Sequence, residues 1–184
     1  MRVIAGKARS LPLKTPVGMD TRPTTDRIKE TLFNILSPDI PDAVFMDLFS
    51  GSGGIGIEAL SRGAKRAYFV EQNNAAASCI SDNLKFTRLM DQAVLLKQDV
   101  YSALYGISEK EADIIFADPP YHEGHEERLL QTLSELHFVT ENTLIIIEAD
   151  LKTELSFAEE FGFDIIREKK YKTNKHIFLR KVIE

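Results

Sequence analysis

Two clusters of residues in this chain could do chemistry. The first is Met46-Asp47-Leu48-Phe49-Ser50-Gly51-Ser52-Gly53-Gly54-Ile55-Gly56, in which Gly51, Gly53 and Gly56 fit G-x-G-x-x-G and Glu71 lies 20 residues past Gly51. Glycines let a strand turn tightly into a helix and let the backbone come close to a ligand. A carboxylate at the end of the following strand suits a ribose diol. A dinucleotide would bring a pyrophosphate, which seeks a helix N-terminus free of carboxylates. Here Asp47 stands just before the loop, and no Lys or Arg occurs between Asp47 and Arg62. S-adenosylmethionine has no phosphate; Asp47 can attract its cationic end and Glu71 can hold its ribose. The bland alternative is a tight strand-to-helix turn that binds nothing.

The second cluster is Asp118-Pro119-Pro120-Tyr121. Successive prolines fix the backbone and remove two donors. Backbone carbonyls and the Asp118 carboxylate are then acceptors with no donor nearby, an arrangement suited to a planar exocyclic amine. Acceptors that grip the amine hydrogens draw the nitrogen toward tetrahedral and aim its lone pair at a methyl group. Tyr121 offers a flat face for a base, worth about 1–3 kcal/mol of stacking. A base in folded nucleic acid must leave its stack to reach such a pocket. The bland reading is a stiff turn that ends a strand.

Both clusters need a scaffold, and the apolar pattern supplies one. Short apolar runs at Val44–Met46, Ala67–Val70, Ala93–Leu96, Ile114–Ala117 and Leu144–Ile147 alternate with amphipathic stretches at Ile55–Arg62, Ala75–Phe86 and Glu126–Leu136. Strand then helix, repeated, predicts a parallel sheet covered on both faces. Ligands bind such sheets beyond the carboxyl ends of the strands, where both clusters fall. Phe163–Ile166 and Ile177–Val182 flank the charged stretch Arg167–His176, which predicts an antiparallel edge hairpin with Thr173-Asn174 near its turn. At the front, a small hairpin or arm over Arg2–Leu13 precedes a helix over Asp26–Leu36 that sets Ile28, Leu32, Ile35 and Leu36 on one side.

The whole chain is 184 residues with 43% hydrophobic and 28% charged residues, the composition of one globular domain with a short appendage. No apolar run is long enough for a transmembrane helix or a secretory signal. The single cysteine, Cys79, excludes an internal disulfide and suits a reducing, cytoplasmic setting. It is expected in the core of its helix. The net charge is -5, but it is unevenly spread. Residues 1–36 hold seven basic and three acidic side chains, residues 167–181 hold seven and one, and residues 37–166 hold nine and twenty-three. If the two basic ends meet, they form one positive patch for a polyanion; otherwise they are two solvated termini. His122, Glu123, His125 and Glu126 lack H-E-x-x-H spacing and read as a solvated helix start. Asp99 reads as a helix cap or turn residue. His137 and His176 fit no pattern.

Taken together, the opening Met1-Arg2-Val3-Ile4-Ala5-Gly6-Lys7, the stretch from Thr21-Arg22-Pro23-Thr24-Thr25-Asp26-Arg27 to Leu36, Asp47 to Gly53, Glu58 to Ala64 and Asp118 to Tyr121 resemble the RsmD family of 16S rRNA (guanine-N2)-methyltransferases. The T-R-P-T-x-[DE]-[RK] stretch is the specific part; the glycine loop and D-P-P-Y are shared with many class I methyltransferases. Ser10 and Ser50 depart from the family pattern, which has glycine and alanine there. The resemblance implies a Rossmann-like α/β fold with a mostly parallel seven-stranded sheet, helices on both faces and a C-terminal antiparallel hairpin. It divides the chain into an N-terminal RNA-binding arm and helix, 1–40, and a catalytic domain, 41–184. It implies S-adenosyl-L-methionine as methyl donor, with Asp47, Gly51 and Gly53 at the methionine end, Glu71 at the ribose and Asp99 at the adenine. Asp118, Pro119, Pro120 and Tyr121 would hold the guanine, and Lys7, Arg9 and Arg22 would grip RNA. The expected partner is 16S rRNA in an assembling or assembled 30S subunit, with no metal, no membrane and no second copy of the chain.

Three rival functions remain open at this point. A DNA adenine-N6 methyltransferase would use the same D-P-P-Y, but usually carries a separate target-recognition domain. An NAD-dependent oxidoreductase or nucleotide-binding module would use only the glycine loop. An RNA-binding assembly factor would keep the fold without the chemistry.

Overall fold

The computed structural model describes residues 1–18 and 24–183. The chain folds as α1 (Asp26–Leu36), β1 (Val44–Leu48), α2 (Gly54–Ser61), β2 (Arg66–Val70), α3 (Asn74–Phe86), β3 (Ala93–Leu96), α4 (Val100–Tyr105), β4 (Ile114–Ala117), α5 (His125–Glu135), β5 (Leu144–Asp150), β6 (Phe163–Lys170) and β7 (Asn174–Lys181). The strands form one seven-stranded sheet in the order β3-β2-β1-β4-β5-β7-β6. The pairs β3/β2, β2/β1, β1/β4 and β4/β5 are parallel, and β5/β7 and β7/β6 are antiparallel. This is the Rossmann-like α/β architecture of class I methyltransferases. Its strand order reverses between β1 and β4, and that switch point opens a crevice at the carboxyl ends of the strands.

The central strands are apolar on both sides because both sides are buried. Leu48, Val70, Ala117 and Ile147 face one apolar layer with α4 and α5. Phe45, Phe69, Phe116, Ile146 and Phe178 face the other, with α1, α2 and α3. The strands extend past their apolar runs to polar ends: β1 reaches Asp47-Leu48 and β5 reaches Glu148-Ala149-Asp150. The edge strand β6 exposes most of its charged side chains and bulges between Ile165 and Arg167, devices that discourage further pairing. α4, the short helix over Val100–Tyr105, was not read from the sequence; six residues show too little periodicity to declare themselves.

The N-terminal segment is a small hairpin closed by an antiparallel bridge between Arg2 and Pro12. Ser10 adopts a left-handed φ of 70° within it, which explains a family preference for glycine there. Its Val3, Ala8 and Leu13 join α1 in the second apolar layer. The face α1 buries is Lys29, Leu32, Phe33 and Leu36, with Ile28 and Ile35 at its margin. That corrects the stripe expected from apolar spacing alone. A lysine belongs to the buried face because Glu58, fully buried on α2, faces it at 3.6 Å. Glu58 also accepts from the backbone amides of Ile4 (2.8 Å) and Ala5 (3.2 Å) and from Arg62 Nε (3.2 Å). Lys29 Nζ in turn donates to the Arg2 carbonyl. The hairpin is thus latched to α2 by one satisfied carboxylate. Cys79, expected in the core, is half-buried on α3. No helix among the described residues is long and apolar enough to cross a membrane.

Candidate active site

The glycine loop is shaped by carboxylates rather than merely flanked by them. Asp47 is withdrawn from solvent, and its Oδ2 accepts from Ser50 Oγ at 2.8 Å and from the Gly56 amide at 3.0 Å. Glu71 reaches back from the end of β2; its Oε2 accepts from the Gly51 amide at 2.8 Å and its Oε1 from the Asn73 amide at 2.9 Å. Gly53 turns the backbone at φ 83°, with Ile80 and Phe69 directly beneath it. Gly56 lies against the Phe69 ring, where any side chain would collide, so the third glycine serves helix-to-strand packing. Burial pushes the Asp47 carboxyl up to about 7, against the pull of the Ser50 and Gly56 donors, with the Glu71 carboxylate adding to the rise.

These contacts test which ligand the loop suits. A pyrophosphate needs free amides, yet the Gly51, Gly53 and Gly56 amides are taken by Glu71, the Ser50 carbonyl and Asp47. The charge at the loop is negative. With those three amides occupied and two carboxylates beside them, the loop suits a cationic, phosphate-free nucleoside better than a dinucleotide.

One cavity of about 1720 Å³ runs from this loop to the D-P-P-Y turn. Drug-sized ligands fill roughly 300–1000 Å³, so there is room for a nucleoside cofactor and a second planar group. Its wall includes Asp47, Gly51, Glu71 and Asp99 on one side and Asp118, Pro119, Pro120 and Tyr121 on the other. Gly53 is not part of the wall; it supports Gly51, Ser52 and Gly54, which are. Asp99 caps α4, accepting from the Ser102 amide at 3.1 Å, while bordering the cavity.

Asp118 continues β4, donating its amide to the Leu48 carbonyl at 3.4 Å. Ala117 pairs with Ile147, so Asp118 and Glu148 are the next residues on adjacent parallel strands. Desolvation, followed by the Glu148 and Asp47 carboxylates, holds the Asp118 carboxyl well above its ordinary range. Burial and the Glu148, Asp118 and Asp150 carboxylates raise the Tyr121 hydroxyl, which therefore stays protonated.

The sequence reading missed the residues that back this turn. Glu148 Oε1 accepts from Asn174 Nδ2 and Oε2 from His176 Nε2, both at 2.8 Å. His176 is fully buried, its ring edge-on to Phe116, and its Nδ1 lies 3.0 Å from the Tyr171 hydroxyl. Burial and Glu148 push that hydroxyl up to about 12. Asn174 Oδ1 is buried without a partner among the described residues. The only signal in the sequence was a run of polar residues in an otherwise ordinary hairpin. A second correction concerns α5. His122 and Glu123 are exposed, as expected of a helix start. Glu126, however, is buried, and His125 is packed edge-on to Phe49 and stacked on Tyr101, whose hydroxyl meets its Nδ1 at 2.8 Å. Arg128 lies over the other part of this cluster, 3.7 Å from the Tyr101 ring centre. Among the described residues, no group of three or more His, Cys, Asp or Glu is placed to hold a metal ion.

Both basic ends of the chain contribute to the rim of one cavity. Arg27 from the front and Lys169, Lys170 and Lys172 from the hairpin border the same cavity, and Arg128 joins them. Lys7 and Arg9 are exposed but stand away from it, and Arg22 lies outside the described residues.

The family described as Conserved hypothetical protein 95 matches residues 1–180. The provisionally named rRNA methyltransferase YlbH of Bacillus subtilis (strain 168) is 40% identical over 157 residues, covering 84% of this chain and 85% of its own. The ribosomal RNA small subunit methyltransferase D of Haemophilus influenzae is 37% identical over 154 residues, covering 82% and 79%. The solved structure of yhhF from Escherichia coli superposes with a TM-score of 0.85 at 30% identity, over 100% of this chain and 99% of that one.

Proposed function

Because the chain belongs to the Conserved hypothetical protein 95 family, the RsmD family, we propose that it transfers a methyl group from S-adenosylmethionine to the exocyclic N2 amine of a guanine in 16S rRNA of the small ribosomal subunit. The observation that carries this reading is the single cavity joining a carboxylate-lined glycine loop to Asp118-Pro119-Pro120-Tyr121 across the β1/β4 switch point. Relatives named ribosomal RNA small subunit methyltransferase D support rRNA as the substrate class. The basic rim of the cavity suits phosphates.

The bound cofactor supplies a methyl group on a sulfonium. Gly51 and Asp47 would hold its methionine end, Glu71 its ribose and Asp99 the edge of its adenine. Tyr121 stacks the extruded base, and the two prolines keep backbone donors away from its amine. Asp118 accepts an amine hydrogen and stabilises the positive charge that builds on nitrogen as the new bond forms. The product amine then loses one proton. Asp118, whose carboxyl is pulled upward by its neighbours, is the near acceptor for it. Orientation supplies much of the rate, since the line from nitrogen to methyl to sulfur must be nearly straight.

The test is tritiated methyl transfer to small subunits, to free 16S rRNA and to DNA, followed by nucleoside mass spectrometry. N2-methylguanosine in rRNA is the expected product. N6-methyladenine in DNA, or no transfer at all, would replace this reading with a DNA methyltransferase or a silent RNA-binding factor. Asp118→Ala is expected to reduce transfer by about 100- to 1000-fold while cofactor still shifts the melting temperature.

A further inference from the structure

The turn that would receive the base contains one more acceptor than amine methylation needs. Glu148 borders the cavity beside Asp118, one strand over and in register with it. Its side chain is only 7% exposed and is held at both oxygens by Asn174 Nδ2 and His176 Nε2. A carboxylate has no hydrogen to give, so His176 Nε2 is the donor to it, and the Nδ1 of the same ring is paired with the Tyr171 hydroxyl. Phe116 fixes the imidazole from its edge. Three side chains from the hairpin therefore orient this carboxylate before any substrate arrives. A buried carboxylate is costly unless its lone pairs are used, and two donors leave lone pairs unspent on both oxygens.

Resting on the proposed reaction at guanine N2, we propose that Glu148 is a specificity-determining residue that accepts the N1–H of the target base while Asp118 accepts from its N2 amine. The two carboxylates sit on neighbouring strands, spaced as strands are, at roughly 4.8 Å. They meet two adjacent donors on one edge of the base. Guanine presents that edge: an N1–H next to an N2 amine. Adenine presents an amine next to a bare N1 lone pair, which a carboxylate repels. A site with buried polar partners rejects a ligand lacking the matching group far more strongly than an apolar site rejects a methyl. The same pair of acids thus explains why a D-P-P-Y turn shared with adenine-modifying enzymes would here prefer guanine.

The test uses 2-aminopurine, which keeps the 2-amine, replaces N1–H with a lone pair and lacks the 6-oxo group, so the share due to N1–H is the part of the preference that Glu148→Gln removes. Small subunits are reconstituted with 16S rRNA carrying guanine or 2-aminopurine at the mapped target, and methyl transfer is followed with tritiated cofactor. The wild-type protein is expected to favour guanine by about 10- to 100-fold in kcat/KM, the weight of one charge-assisted hydrogen bond. Glu148→Gln, whose amide can present a donor to the bare N1, is expected to bring the two bases to within about threefold of each other. Glu148→Asp keeps the charge but draws it back, and should fall between. An unchanged ratio across wild type and both variants overturns the proposal, as does a wild type indifferent to the two bases. That second comparison needs no variant and survives poor folding of either. If the wild type methylates rRNA but not at guanine N2, it is the functional reading that fails, and the site of the methyl group shows it directly.

Discussion

Glu58 and Glu148 are both glutamates withdrawn from solvent, yet their surroundings differ in kind. Glu58 faces two cations, Lys29 and Arg62, and two backbone amides, and it is fully buried and does not line the cavity. Glu148 is held by Asn174 Nδ2 and His176 Nε2, has a neighbouring carboxylate at Asp118, and keeps an open side toward the cavity. The first carboxylate is balanced within the protein and closes the N-terminal hairpin onto α2. The second is oriented by side chains of the hairpin, stands beside another carboxylate and borders the cavity, where a donor-rich ligand can reach it. A buried carboxylate closed off inside the chain is architecture; one that is oriented with a side left open to a cavity is a binding site.

The contrast can be broken from either side. Glu58→Ala strands Lys29 in the core and removes the ties of Ile4 and Ala5 to α2, leaving those made through Ser61. It should cost about 3–5 kcal/mol of stability, measured by denaturant unfolding, since the uncompensated lysine remains buried. Lys29→Met in the same background should recover part of that loss. Asp118→Ala should leave the fold and cofactor binding intact while reducing methyl transfer by about 100- to 1000-fold, the weight of one preorganised charge-stabilising group. If instead it melts like Glu58→Ala, the division between the two carboxylates is wrong. Tyr121→Leu should weaken substrate use about 10- to 100-fold by removing a stacking face, read in KM more than in cofactor affinity.

Protonation sharpens the comparison further. Methyl transfer needs Asp118 ionised, and its carboxyl is held above the ordinary range, so the rate should rise with pH through that raised midpoint. Glu148→Gln removes a negative neighbour and should move the midpoint toward acid. Asp47 behaves similarly in stability. Its folded value of about 7 lies above the ordinary 3.8, so the native state keeps a proton that the unfolded chain has lost. Its contribution to stability is therefore fully present below about pH 4 and declines as pH rises through about 7. Asp47→Asn should flatten that slope in a series of melting curves, and should also flatten a rise in cofactor affinity over the same range. The smallest effects belong to the rim. Lys169→Ala or Lys172→Ala should reduce the slope of log affinity against log salt by about one each, uniformly across RNA sequences.

Much of the cavity's first half was legible along the chain. Asp47, Gly51 and Glu71 declared themselves because a strand, a turn and a helix are consecutive, and the apolar run before the loop marked where the strand would end. Asp118 and Tyr121 were legible for the same reason: prolines after a solid apolar strand are a local signal. At Gly53 the close approach of Phe69 and Ile80 is a second reason for glycine, and glycine spacing alone cannot tell a ligand from a neighbouring side chain. Lys7 and Arg9 follow from the family resemblance; both are exposed and neither lines the cavity. His125 was assigned to solvent because a helix start rich in His and Glu looks polar, whereas Phe49 and Tyr101 arrive from other elements to cover it.

What the amino-acid order determined by itself was everything carried by neighbours in the chain: alternating apolar runs and helices, a turn only glycines could make, a stiff acceptor motif after a strand, and two basic ends. What only the tertiary structure decided was the company those motifs keep. Glu148, Asn174, His176 and Tyr171 come together because β7 pairs antiparallel with β5, setting Glu148 opposite His176, while β5 lies in parallel register with β4. Cross-strand register depends on the packing of whole faces, and a one-residue slip would turn those side chains to the other side of the sheet. Local sequence carries no trace of that choice, because burial of apolar faces far from the site is what makes it.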